Sequence, residues 1–224
     1  MKALIFDSGT LINLSMNGLL YILKDLKKTF KGKFIVTKEV KYEVVDRPIG
    51  IKRFELGAMR VKTLLDEKVL ELPSVLGITD GEIKKETQNL MKLANNSVFI
   101  KNKPIKIVSD AEISCIALSY LLSKKTIPSL IAVDERTIRI LSEKPENLEK
   151  IMERKLHQKV KTTRENLKAF SQFKFIRSSE IVFVAHKKEL LNLKGPKVLE
   201  AVLYATKFKG AAISFEEIDV LKKL

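Results

Sequence analysis

Apolar residues in this chain come in short blocks separated by stretches of helical spacing. Ala3-Leu4-Ile5-Phe6 is unbroken and ends at Asp7-Ser8-Gly9, after which Leu11, Leu14, Leu19, Ile22, Leu23 and Leu26 recur at nearly one helical period. A short continuous block predicts a strand buried on both faces, and the periodicity behind it predicts a helix. Phe34-Ile35-Val36 repeats the device, with Thr37 at a helix-cap position, Val40 and Val44 on one face, and Pro48 as the stop. Residues 51–67 are amphipathic, and Thr79-Asp80-Gly81-Glu82 has capping-box spacing, so a second helix starts there and is expected to pair antiparallel with the first.

The alternation continues to the end of the chain. Residues 105–108 predict a strand, and Ser109-Asp110-Ala111-Glu112 a second capping box ahead of Ile113, Ile116, Ala117, Tyr120 and Leu121. Leu130-Ile131-Ala132-Val133 predicts a strand running into Asp134-Glu135, with helix following and an interruption near Pro145. Residues 173–176 and 181–185 are strand candidates, and residues 198–205 and 216–224 helical ones. Buried strands alternating with helices predict an α/β fold with a central parallel sheet covered on both faces.

Composition narrows the class. No apolar run approaches the roughly 18 residues of a membrane span, and the first apolar block reaches an acid too early for a secretion signal, so a cytoplasmic location with no membrane partner is expected. Cys115 is the single cysteine, which excludes an internal disulfide framework and a multi-cysteine zinc site, and leaves oxygen as the ligand for any metal. The net charge of +15 favours a polyanionic partner, nucleic acid. Residues 150–224 hold 17 basic and 8 acidic side chains, so this part is expected to form a basic C-terminal extension behind a domain of residues 1–149, the boundary resting on charge alone and the first strand of the extension being a candidate to complete the sheet.

Candidate chemistry lies in the acids. Ligands of open parallel sheets bind at the carboxyl ends of strands. Asp7 and Asp134 each end a predicted strand, and Asp110 lies two residues beyond one. On the helix after the second strand, Glu43 lies about 80° from the midpoint of the face set by Val40 and Val44, against about 120° for Glu39, so Glu43 is the fourth candidate and Glu39 the spare. Gathered carboxylates repel unless cations or protons neutralise them, and Mg2+ or Mn2+ suits an all-oxygen set. Each acid also has a structural role open to it: Asp7 and Asp134 as helix caps, Glu43 as a solvated helix acid, Asp110 as a charge at a helix dipole, and Glu112 as the partner of Ser109 in a capping box.

Four segments in order, Ile5-Phe6-Asp7-Ser8-Gly9-Thr10-Leu11-Ile12, Val36-Thr37-Lys38-Glu39-Val40 leading to Glu43, Ser109-Asp110-Ala111-Glu112-Ile113, and Ala132-Val133-Asp134-Glu135-Arg136, resemble the PIN-domain nucleases. These are metal-dependent ribonucleases that include the toxin components of toxin–antitoxin pairs. The resemblance covers roughly residues 1–145. It implies a three-layer α/β/α domain and catalytic residues Asp7, Glu43, Asp110 and Asp134, with metal on Asp7, Asp110 and Asp134. Ser8 or Thr10 matches the small polar position that supports the first acid. It further implies RNA as substrate, a 5′-phosphate product, and a homo-oligomer or an antitoxin-like protein as partner. Glu135 stands where the family commonly carries an aspartate or asparagine, and the family domain is shorter than this chain.

Arg136 and Arg139, after Asp134, are candidate substrate-phosphate contacts, as are Lys187 and Lys188 in the basic extension; Lys194, Lys197, Lys207 and Lys209 extend that anchor. Phe6-Asp7-Ser8-Gly9-Thr10-Leu11 also resembles the haloacid dehalogenase phosphatases, but Gly9 occupies the place of their second aspartate. His157 and His186 stand beside no nucleophile pattern, and no phosphate-binding glycine loop is present. The competing class is a non-catalytic RNA-binding or ribonucleoprotein-assembly protein of the same fold, for which Phe173-Lys174-Phe175-Ile176-Arg177 offers aromatic and basic contacts as well as an ordinary edge-strand pattern.

Overall fold

The computed structural model describes residues 1–224, except for the side chain of Arg164. In chain order the strands are β1 (Ala3–Phe6), β2 (Lys33–Ile35), β3 (Val98–Ile100), β4 (Lys103–Pro104), β5 (Ser129–Ala132), β6 (Lys161–Thr162) and β7 (Phe175–Ile176). The α-helices are α1 (Ser8–Met16), α2 (Tyr21–Phe30), α3 (Lys38–Lys41), α4 (Glu55–Asp66), α5 (Asp80–Asn95), α6 (Asp110–Lys124), α7 (Arg136–Glu143), α8 (Leu148–Leu156), α9 (Arg164–Leu167), α10 (Ser178–Lys187), α11 (Val198–Phe208) and α12 (Phe215–Lys223).

Four strands form a parallel sheet in the order β2-β1-β5-β7. All four residues of β1 are buried, as its unbroken apolar sequence requires. Phe6 and Phe34, on the neighbouring strands, meet edge to face at 5.4 Å, a geometry that adds about 1 kcal/mol to their burial. Helix α6 packs on β1 and β5, α3 and α5 pack on α6, and α2 packs on β2, while α10 joins α1 and α2. The result is a mixed α/β fold compatible with three layers. No helix among the described residues is long and apolar enough to cross a membrane.

The sheet order puts a topological switch between β1 and β5: the connection from β1 leads to β2 on one side, that from β5 to β7 on the other. Chain segments diverge there and leave a crevice at the carboxyl ends. Register brings those ends level, with Phe6 opposite Ala132, and the Asp7 amide donates to the Ala132 carbonyl at 2.9 Å.

Several elements differ from the pattern-based expectation. Residues 181–185 lie in α10, not a strand. Five apolar residues in a row suit either element, and burial of Ile181, Val182 and Ala185, with Val184 exposed, follows the helical period. The Arg177–Glu180 capping box starts that helix, Glu180 accepting from the Arg177 amide at 2.7 Å. Residues 105–108 form no strand, because the chain turns back at Lys101-Asn102 and spends its pairing on the β3–β4 hairpin, which β6 completes as a small antiparallel sheet. Helix α5 packs on α6 rather than α4, which packs on α1.

The C-terminal part shares the main core. Strand β7 lies in the parallel sheet, and Val160, Leu167, Phe170, Phe173, Ile181, Val182 and Leu191 belong to the same apolar cluster as β1 and β5. Only Leu199, Leu203, Ala211, Ile213 and Ile218, from α11, α12 and the turn between them, gather into a second, smaller cluster.

Candidate active site

Asp7 caps α1. Its backbone is extended at φ −80° and ψ 158°, and its carboxylate accepts from the Gly9 amide at 3.1 Å. This is the capping geometry expected of an aspartate, but the side chain is also almost entirely out of water, at 3% exposure. Burial and then the nearby charge of Glu112 push the Asp7 carboxyl up to about 7, against the pull of the Gly9 and Ser8 amides; Glu43 raises it further. Its charge therefore finds too few donors.

Glu43 reaches the site through a π-turn at Tyr42–Asp46, closed by the Arg47 amide on the Tyr42 carbonyl at 2.9 Å. Such turns insert an extra residue and re-aim side chains, often at functional positions. The Ser8 hydroxyl donates to Glu43 Oε2 at 2.6 Å and lies 3.4 Å from Asp7 Oδ1, so one hydroxyl stands between the two carboxyl groups. Thr10 is also buried, and its hydroxyl has no partner among the described residues.

Glu112 completes the Ser109 capping box, accepting from the Ser109 amide at 2.6 Å while its own amide donates to Ser109 Oγ at 3.2 Å. It nonetheless sits among the acids. Burial raises its carboxyl above the ordinary range, the Ser109 bonds oppose that, and Glu135 and Glu43 raise it further. Asp110, two residues earlier, points the other way: its side chain is 70% exposed and paired with Lys106 at 3.2 Å. One helical turn carries two acids, and the 200° between them separates the buried one from the solvated one. The structure thus brings Asp7, Glu43 and Glu112 together and leaves Asp110 outside.

Asp134 is buried at the end of the β5 segment, as its position in the sequence suggests, but its charge is met. Asn13 Nδ2 donates to it at 2.9 Å, the Ser178 hydroxyl at 2.7 Å and the Ser178 amide at 2.8 Å. Burial outweighs these donors and the charge of Arg139, so its carboxyl still stands above the ordinary range, though opposed by all of them. The same Asn13 amide group donates to the Thr206 carbonyl at 2.9 Å, and the Ala212 amide donates to the Asp134 carbonyl at 3.1 Å. Arg177 binds Glu180, Glu217 and the Ala212 carbonyl. Asp134 is therefore the knot that ties α1, α10 and the α11–α12 turn together.

The remaining candidates scatter. Glu135 caps α7 and pairs with Lys155 at 3.1 Å. Arg136 is exposed, and Arg139 is paired with Glu143 at 2.9 Å. Lys187 and Lys188 lie at the far end of α10, roughly 14 Å along the helix from Ser178. Asn13 and Ser178 escape a search for acids, although Ser178, two residues past β7, obeys the strand-end rule that singles out Asp134. Among the described residues no group of three or more His, Cys, Asp or Glu side chains is placed so that it could hold a metal ion. Comparisons of the chain with protein-family models, with curated proteins and with solved structures find no match.

Proposed function

We propose that the chain is a metal-dependent endoribonuclease of PIN-like fold whose acids are Asp7, Glu43 and Glu112. The observation that carries this reading is the Asp7 carboxyl: buried at a topological switch point, next to two further carboxylates, and pushed up to about 7. An all-oxygen set with excess negative charge fits a hard divalent cation, Mg2+ or Mn2+. The fit rests on charge alone and not on geometry, since among the described residues no three such side chains are placed as ligands of one ion. Asp110 fits poorly because Lys106 holds it in solvent, and Asp134 because three donors already occupy its oxygens.

Asp7, Glu43 and Glu112 would hold the cation, which supplies the Lewis acidity that activates a water and neutralises an attacked phosphate. The Ser8 hydroxyl orients the Glu43 carboxylate and fixes it beside Asp7. Exposed Arg136 is available to substrate phosphate; Arg139 and Asp134 act on the fold at this edge. The net charge of +15 supports an RNA partner. Full-length protein incubated with single-stranded RNA in Mg2+ or Mn2+ is expected to cut it, and chelation or Asp7→Asn to abolish cutting. Asparagine preserves the cap and removes the charge.

The saturation of Asp134 favours a second reading, an RNA-binding or ribonucleoprotein-assembly protein that does not cut. Tight RNA binding with no cleavage in either metal establishes that reading in place of the first.

A further inference from the structure

A groove of about 520 Å³ opens between α1, the π-turn and the start of α4, and Glu43 is part of its wall. Its floor is apolar and open to water: Met16 is 60% exposed, Phe54 52% and Leu56 62%. Three cations rim it, Arg47, Arg53 and Arg60. None of the three has a carboxylate partner among the described residues, whereas Arg139 and Arg177 are each paired with glutamate. The choice of cation is unusual for this sequence. Arginine supplies only 8 of the 42 basic residues, yet every cation lining the groove is arginine. A guanidinium is planar, grips phosphate with two parallel bonds, and stacks on flat rings; lysine is a compact point charge that does neither. Arg53 already lies over the Phe54 ring, at 5.4 Å.

We propose that this groove seats unpaired nucleotides of a single-stranded RNA, bases against Phe54 and the apolar floor and phosphates on Arg47, Arg53 and Arg60, in continuity with the acids at Glu43. The proposal rests on the ribonuclease reading for its substrate class and adds the residues that hold the strand. Stacking on an aromatic or a guanidinium plane requires a base free of its partner, so duplex RNA is a poor ligand. The unpaired positive rim complements a polyanion, and the acids of the site cannot supply that attraction.

The test uses the full chain and a 5′-fluorescein oligouridine 12-mer followed by anisotropy over a range of salt. Exchanging all three arginines for lysine keeps the charge and removes planar contacts; affinity is expected to fall about tenfold with the salt slope retained. Exchanging them for glutamine is expected to weaken binding further and to lower the slope by about 0.7 for each phosphate no longer neutralised. Phe54→Ala weakens single-strand binding by about tenfold and leaves duplex binding unchanged. Photo-cross-linking of a 4-thiouridine version identifies the bound surface directly, with adducts expected on the groove. Wild-type affinity in both arginine variants, or adducts confined to the C-terminal lysines, overturns the proposal and leaves the groove to an acidic protein partner. Cleavage separates the two readings: a chain that cross-links at the groove but never cuts keeps this inference and loses the nuclease, and one that cuts normally with all three arginines replaced does the reverse.

Discussion

The ends of β1 and β5 carry the same local pattern, a short apolar strand running into a buried aspartate, and they do opposite things. Asp134 receives three donors from side chain and backbone and spends its charge holding distant elements together. Asp7 receives one close amide bond, faces Glu112 and Glu43, and is pushed up to about 7. Burial is common to both. The difference is whether the fold supplies donors, and it separates a carboxylate whose charge is answered from one whose charge is not.

The largest effect that tests this contrast is the loss of Asp134. Asp134→Ala leaves the Ser178 amide and hydroxyl and one Asn13 donor without their acceptor, and is expected to cost about 4 kcal/mol in urea unfolding. A loss under about 1 kcal/mol would show that the knot contributes little.

Asp7 is expected to respond with the opposite sign. Its carboxyl ionises at 3.8 ordinarily and at about 7 in the folded protein, so between these values the folded state binds the extra proton. Stability of metal-free protein is therefore full below about pH 4 and declines as pH rises to about 7, by roughly 4 kcal/mol as an upper limit. Asp7→Asn removes that decline and is expected to gain roughly 2–3 kcal/mol at pH 8, with little change at pH 4. Thermal melts across that range read the difference, and parallel curves for the two proteins contradict it. Mn2+ should raise the melting temperature of wild type more at pH 8 than at pH 5, and that of Asp7→Asn at neither.

A smaller effect distinguishes the two acids that open α6. Glu112→Gln is expected to lower the Asp7 titration midpoint by about one unit, since its charge is the largest acting on that group, whereas Asp110→Asn leaves it in place. Carbon-detected NMR titration of the Asp7 carboxyl measures both. Smallest is the serine pair. Ser178→Ala removes a buried donor to a charged group and should cost about 2 kcal/mol, while Ser8→Ala frees the half-buried Glu43 and should cost about 0.5 kcal/mol. Equal losses would erase the distinction between the two edges.

Much of this was legible in the residues. The apolar blocks at 3–6, 34–36 and 130–133 mark three of the four parallel strands, and 173–176 contains the fourth. Thr37, Thr79 and Ser109 cap helices as their types and spacing require. These features depend on period, burial and nearest neighbours, which one segment carries by itself.

Tertiary structure decided the rest. No local pattern separates Asp134 from Asp7, because the donors that answer Asp134 come from 121 residues earlier and 44 residues later. Glu112 satisfies its capping box and also faces the acids, a double role that spacing alone reads as a cap. Charge marks a basic stretch after residue 149 but not where it packs; strand β7 and the apolar side chains around it join the main sheet and core. Arg47, Arg53 and Arg60 look like scattered surface cations until the π-turn and α4 fold them around one groove. Period reports which side of an element is buried; only the folded chain determines which groups meet there, and whether a buried charge is answered or left open.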